Sequence, residues 1–305
     1  MSQDVFWGIL LGLAAAFFQS LSYVFSRLFV TRPGQSAAGL FALSHVEMGI
    51  VALAALPFVA SGGAPSASVY WRPLAGAVFF YLVGQGAMFA TLRWTEASRI
   101  SPLLGLKILV LALISCLCLR QTVAPLQWVA VALSVAAAFA LNWSGGALPG
   151  RAALGVLVCC LGYSMSDLNI RWLVDALDSV GRLRATLLSC CMCYVATGAL
   201  GAALLLRARG LSGSAWLRAA PVAVAWILAM VFLFATFKLI GVVFGNIVQS
   251  SRGLISILMG AMIARWGFVA LEQRHGASVL WRRAVAAALM TAAVALYVLG
   301  QPAGR

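Results

Sequence analysis

Two cations stand at the depth where a membrane-spanning segment tolerates them least. Lys107 lies about ten residues into an apolar run over 98–119, and Arg252 holds the matching place in a run over 243–265, so both should sit near the bilayer midplane. A cation there costs roughly 2.5 to 3.5 kcal/mol on insertion scales, so each should face a partner or a wet cavity and reads as a functional residue by default. Around Arg252, the residues Asn246, Gln249, Arg252 and Ser256 recur at spacings of three, three and four, which puts amide, guanidinium and hydroxyl on one helical face. Ser101, Gly105, Lys107 and Ser115 form the sparser counterpart. The chemistry such faces offer is recognition of an anion; for the uncharged members, hydrogen bonding between helices is the alternative.

A second pair of stripes runs through Gln19, Tyr23 and Arg27, and through Tyr163, Asp167 and Arg171. Steps of four keep each trio on one face, and Asp167 and Arg171 are spaced to form an (i, i+4) ion pair. Arg27 and Arg171 are close enough to span ends to snorkel. Glu47 and Asp167 are acids inside apolar runs, so either could take up and release a proton during transport, or neutralise Lys107, Arg252 or Arg171. His45 is two residues from Glu47, on a different face, and makes no ready relay with it. Gln85, between Gly84 and Gly86, stands where backbone can approach a neighbouring helix or a solute.

Nothing in this inventory reads as a catalyst or a metal centre. His45 and His275 lie in unrelated places, carboxylates do not cluster, and a phosphate-cradling Gly-Lys-Ser/Thr loop is absent, so ATP hydrolysis is not the energy source. The Cys190-Cys191-Met192-Cys193 run lacks the separated pairs of a zinc site, and all seven cysteines fall in apolar runs as packing residues. The reading therefore includes no enzyme, no cofactor and no metal.

The elements that must position these groups follow from composition. With 63% hydrophobic and 9% charged residues, the chain cannot be solvated as a globular surface, which needs roughly a quarter charged residues. Lipid must be the solvent, and the net charge of +14 sits mainly at span ends, where it anchors the protein in the membrane rather than on nucleic acid. Spans of about 20 apolar residues read as 5–29, 37–60, 72–92, 98–119, 124–142, 151–174, 184–206, 216–238, 243–265 and 281–299. The predicted class is all-α integral membrane, with ten transmembrane helices.

The chain also repeats itself. Phe89-Ala90-Thr91-Leu92-Arg93 aligns with Phe234-Ala235-Thr236-Phe237-Lys238 at an offset of 145, which also sets Ser44 on Ser189, Lys107 on Arg252 and Arg120 on Arg265. An offset of 144 sets Gln19-Ser20-Leu21-Ser22-Tyr23 on Tyr163-Ser164-Met165-Ser166-Asp167. Residues 1–145 and 146–305 are thus expected to be two five-helix repeats, and the odd helix number makes them inverted.

In this light Ser98-Arg99-Ile100-Ser101-Pro102-Leu103-Leu104-Gly105 and Gly245-Asn246-Ile247-Val248-Gln249-Ser250-Ser251-Arg252-Gly253-Leu254 carry a resemblance to the drug/metabolite transporter superfamily, specifically its ten-helix EamA-like members. The resemblance implies one small solute in a central cavity, exposed alternately to each side, with spans one, three, four, six, eight and nine as walls. Gly-Asn-x-Val with its nearby Arg is also similar to the sugar-phosphate and nucleotide-sugar branch, where cations hold the substrate phosphate. Many members carry an acidic residue just after span four, whereas this chain has Arg120-Gln121-Thr122 there, with Arg265 at the matching place of the second half. Orientation is left open, since Lys and Arg at span ends number seven on the amino-terminal side against twelve opposite, favouring external termini, while the resemblance implies cytoplasmic ones.

The expected function is secondary transport of a small organic metabolite, an anion held by Lys107, Arg252, Gln249, Asn246, Ser101, Ser256, Gln19, Tyr23, Tyr163 and Gln85, with Glu47 and Asp167 as proton-coupling candidates. The alternative is export of apolar or zwitterionic compounds, with the cations paired internally to Glu47 and Asp167. The expected setting is the bacterial inner (cell) membrane, with lipid and a small-molecule solute as partners, as a monomer or homodimer.

Overall fold

In lipid every backbone amide must be bonded within the protein, so long apolar runs can only coil. The computed structural model describes residues 2–60, 65–91, 104–117, 122–142, 150–206, 213–252, 255, 258, 259, 281, 285, 288, 289, 292–297, 299 and 300. Among these, all regular structure is helical: α1 (Gln3–Val30), α2 (Ala37–Ala60), α3 (Ala67–Thr91), α4 (Leu106–Leu117), α5 (Pro125–Asn142), α6 (Gly150–Ala176), a 3-10 turn at Asp178–Val180, α7 (Arg182–Leu205), α8 (Gly213–Ile240) and α9 (Val242–Gln249), with 292–297 also helical. By length and composition α1, α2, α6, α7 and α8 can each cross a bilayer. At 1.5 Å per residue the 28-residue α1 spans about 42 Å, more than a hydrocarbon core of about 30 Å.

Polarity is distributed as lipid demands. Phe58 and Leu217 are 80% and 81% exposed, whereas Gln19, Ser20, Ser22, Asp167, Asn246 and Gln249 are buried. α3 starts five residues earlier than the expected 72. The expected fourth run is described as helix only over α4, and the ninth is regular only over α9.

Three pairings organise the bundle: α1 with α8, α3 with α6, and α2 with α7. Under the sequence register, α1 corresponds to α6, α2 to α7 and α3 to α8, so the first two pairings are images of one another and the third is its own image. Small residues permit the approach. A Cβ on Gly49 of α2 would lie 2.8 Å from Gly198 Cα on α7, and one on Gly162 of α6 would lie 2.7 Å from the Gly84 nitrogen on α3. α8 and α9 are joined through the single residue Gly241, whose φ of 78° is a conformation that other residues adopt only under strain.

Candidate functional site

The three helix pairs leave a cavity of about 510 Å³ between them. It reaches the end of the bundle where α1 finishes and α2 begins, since the exposed Val30 and Ala37 both line it. Leu233, Phe234 and Ile170, all buried, close its inner end. α2 and α7 also contribute wall, through Ser44, His45 and Met48 and through Cys193, Tyr194 and Thr197, which corrects the expectation that six other spans form it.

Both cations line this cavity. Each sits beside a tightened turn: the Lys107 amide bonds the Leu104 carbonyl at 3.1 Å, and the Ser251 amide bonds that of Val248 at 3.1 Å, both three residues back instead of four. Lys107 Nζ lies 2.5 Å from Asp167 Oδ2, and 5.8 Å from the Tyr163 ring centre. Arg252 Nη1 donates to Gln19 Oε1 at 3.0 Å, and Gln249 Nε2 donates to the same oxygen at 3.0 Å. Among the described residues no carboxylate stands within ion-pair distance of Arg252.

The serines around the two cations match position by position. The Ser20 hydroxyl donates to the backbone oxygen of Arg252 at 3.0 Å, shared with the Ala16 carbonyl of its own helix. The Ser164 hydroxyl donates to that of Lys107 at 3.4 Å. Ser22 bonds the Val222 carbonyl at 3.3 Å, and Ser166 bonds that of Ala77 at 2.8 Å. Ser20 and Ser22 map on Ser164 and Ser166 at offset 144, and Ala77 on Val222 at 145, so both serine contacts made by α1 are repeated by α6.

The expected Asp167–Arg171 pair does not form. Asp167 turns inward to Lys107, also accepting from Asn246 Nδ2 at 2.8 Å, while Arg171 Nε bonds Asp175 Oδ2 at 2.7 Å, one turn further along α6. Arg171 also donates to the backbone oxygens of Phe237 and of Lys238, the latter at 2.7 Å. Lys238 Nζ lies 2.8 Å from Asp175 and 3.1 Å from Asp178, so an ionic cluster ties the ends of α6 and α8 together beyond the closed end of the cavity.

Gln19, Tyr23, Gln85, Tyr163, Gln249 and Asp167 all line the cavity with the two cations. Asn246 does not; it is buried behind Asp167 and bonds the Val242 carbonyl. Glu47 is not part of the lining either, and its Oε2 is buried without a hydrogen-bond partner among the described residues. Ser101 and Ser256, and the side chain of Arg27, lie outside the described residues. Sequence reasoning gave His45 no place in the cavity and passed over Tyr81 and Trp226. His45 Nδ1 is 2.8 Å from the Phe41 carbonyl, and Nε2 is 2.8 Å from the Tyr81 hydroxyl, which accepts from Gln85 Nε2 at 3.1 Å. In the neutral ring Nδ1 therefore carries the hydrogen and Tyr81 donates to Nε2. Trp226 Nε1 donates to the Tyr194 hydroxyl at 2.8 Å. The spacing 37, 41, 44, 45 and 48 along α2 was the signal that could have exposed His45.

A solved crystal structure superposes on 96% of this chain and 96% of its own with a TM-score of 0.72; at 17% identity this likeness is one of fold. No curated protein matches the chain. Residues 6–143, the stretch that holds nearly all of α1 to α5, match the model of the EamA-like transporter family, and five of the described helices are long and apolar enough to cross a membrane.

Proposed function

We propose that the protein is a secondary active transporter that binds a small organic anion in the central cavity and exposes it alternately to the two sides of a bacterial cell membrane. The observation that carries this reading is Arg252: it lines the cavity, is oriented by Gln19, and has no carboxylate beside it among the described residues. A guanidinium offers five donors in a planar fork suited to a carboxylate or phosphate, and only one of them is used by Gln19. Two inverted five-helix repeats, 1–145 and 146–305, are supported by the matched serine contacts of α1 and α6. Inverted repeats give one chain two nearly equivalent packings that face opposite sides. The cavity is formed by one chain, so the transport unit is the monomer, alone or within a homodimer.

Export of apolar or zwitterionic compounds is the second reading, and the Lys107–Asp167 pair favours it, because that cation is internally neutralised. Counterflow in proteoliposomes separates the two. Preloading with small carboxylates or phosphates should drive accumulation of the labelled anion, and Arg252→Gln should abolish it. Anion counterflow that survives Arg252→Gln, or exchange of neutral amphiphiles alone, would point to the second reading.

A further inference from the structure

The charges facing the cavity do not balance. Among the described residues the charged side chains that line it are Lys107, Arg252 and Asp167, and with the His45 ring counted as neutral these sum to one positive charge. Asp167 is joined to Lys107 at 2.5 Å, so the pair is neutral towards a solute and the remaining charge belongs to Arg252. The asymmetry comes down to one position. Ser20 and Ser164 repeat one another around the two cations, as do Ser22 and Ser166, but at offset 144 Tyr23 stands on α1 where Asp167 stands on α6. At this position the first half therefore presents a phenol, not an acid that would cancel Arg252.

We propose that Asp167 is a specificity-determining residue: by cancelling Lys107 it sets the cavity to take solutes with a single negative charge on an apolar body. This rests on the anion-transport reading above. A second negative charge in the solute would meet the Asp167 carboxylate and find no further unpaired cation among the described residues that line the cavity, and a charge removed from water without a partner is strongly disfavoured. Asp167 is held in place from two directions, by Lys107 and by Asn246 Nδ2 at 2.8 Å, so it does not swing aside freely for a second anionic group. The rest of the wall suits an apolar body: Tyr23, Tyr163, Trp226, Met48, Met230 and Leu233 surround the space. Its volume of about 510 Å³ lies within the range of about 300 to 1,000 Å³ typical of small-molecule sites.

The test is counterflow by the full chain in proteoliposomes with a matched series: phenylacetate, with one carboxylate; phenylsuccinate, with two; and phenylacetamide, with none. The unmutated protein should exchange phenylacetate and handle phenylsuccinate about tenfold or more slowly, the scale expected for a buried charge left unpaired. Asp167→Asn, which frees Lys107 while keeping the shape of the side chain, should raise the phenylsuccinate-to-phenylacetate ratio by about tenfold or more. Lys107→Gln combined with Asp167→Asn removes both charges and should return the ratio to that of the unmutated protein. Equal exchange of the two acids by the unmutated protein, or the same ratio in the single and the double variant, overturns the proposal while anion transport stands. If Asp167→Asn does not fold, the ratio in the unmutated protein decides. A protein that exchanges neither acid, nor any of a panel of small carboxylates and phosphates, loses the anion reading itself, and this proposal with it.

Discussion

Among the individual side chains, the Lys107–Asp167 pair has the largest consequence for stability. Lys107 and Asp167 side chains are 16% and 8% exposed, and each removes most of the penalty of burying the other. Lys107→Met would leave the Asp167 carboxylate with Asn246 as its remaining polar partner, and removing one member of a buried pair costs about 3 to 5 kcal/mol. The thermal midpoint in detergent should therefore fall sharply for Lys107→Met and recover most of the loss when Asp167→Leu is added; equal loss in the single and double variants would mean that packing, not charge, sets the cost. Both cations were legible in the sequence because a charge deep in an apolar run is conspicuous, and more so when it recurs 145 residues later. Their partners were not legible. Arg171 had two acids at four residues, Asp167 and Asp175, and only the fold shows that Lys107 takes the first and leaves the second. Asn246 was grouped with Arg252 by regular helical spacing, but the tightened turn at Ser250 and Ser251 changes the phase between them, so one meets Asp167 and the other Gln19.

Among the helices, register is maintained by small residues and hydroxyls rather than by apolar attraction, because lipid tails are as apolar as the helices themselves. The Ser-x-Ser pairs on α1 and α6 reach across to backbone oxygens of α8 and the Arg252 turn, and of α3 and α4, and such bonds average about 0.6 kcal/mol each in membranes. Ser22→Ala and Ser166→Ala should each lower stability by about that amount, read as a small shift in the thermal midpoint. The α2–α7 contact is less forgiving. A Cβ on Gly198 would lie 2.7 Å from Gly49 Cα, a backbone atom that cannot rotate away, so Gly198→Val must push the helices apart. The expected loss is about 1 to 3 kcal/mol by overpacking, and because Cys193, Tyr194 and Thr197 lie on the same helix, anion counterflow should fall with it. A Gly198→Val protein with an unchanged midpoint would show that α2 and α7 do not pack as closely as this. Among the described residues, helices α1 to α9 lie on nine of the ten runs read from hydropathy, because length and apolarity alone dictate a span. Which helices touch depends on such close approaches, which periodicity does not reveal.

Across the whole molecule, the two ends of the bundle are unlike. One end is open along the cavity to Val30 and Ala37, and the other is closed by Leu233, Phe234 and Ile170 and tied beyond them by Arg171, Asp175, Asp178 and Lys238. Asp4 and Arg182 add a link between α1 and α7 at 3.1 Å at the same end. In an alternating-access cycle the tied end must open when the other closes, so Asp175, which bridges Arg171 and Lys238, should bias the molecule toward the conformation seen here. Cys193 provides the readout, since among the described cysteines it is the one that lines the cavity. With the other six of the seven cysteines replaced by Ala, a membrane-impermeant thiosulfonate should label Cys193 from one face of the membrane only, the face that carries the turn between α1 and α2. That result would also fix the orientation that the Lys and Arg distribution leaves open. Asp175→Asn removes the bridge, so labelling from that face should slow and labelling from the opposite face should emerge. Equal labelling from both faces before the substitution would mean the cavity is not closed at the tied end, and unchanged labelling after it would mean the ionic cluster does not set the balance between the two packings.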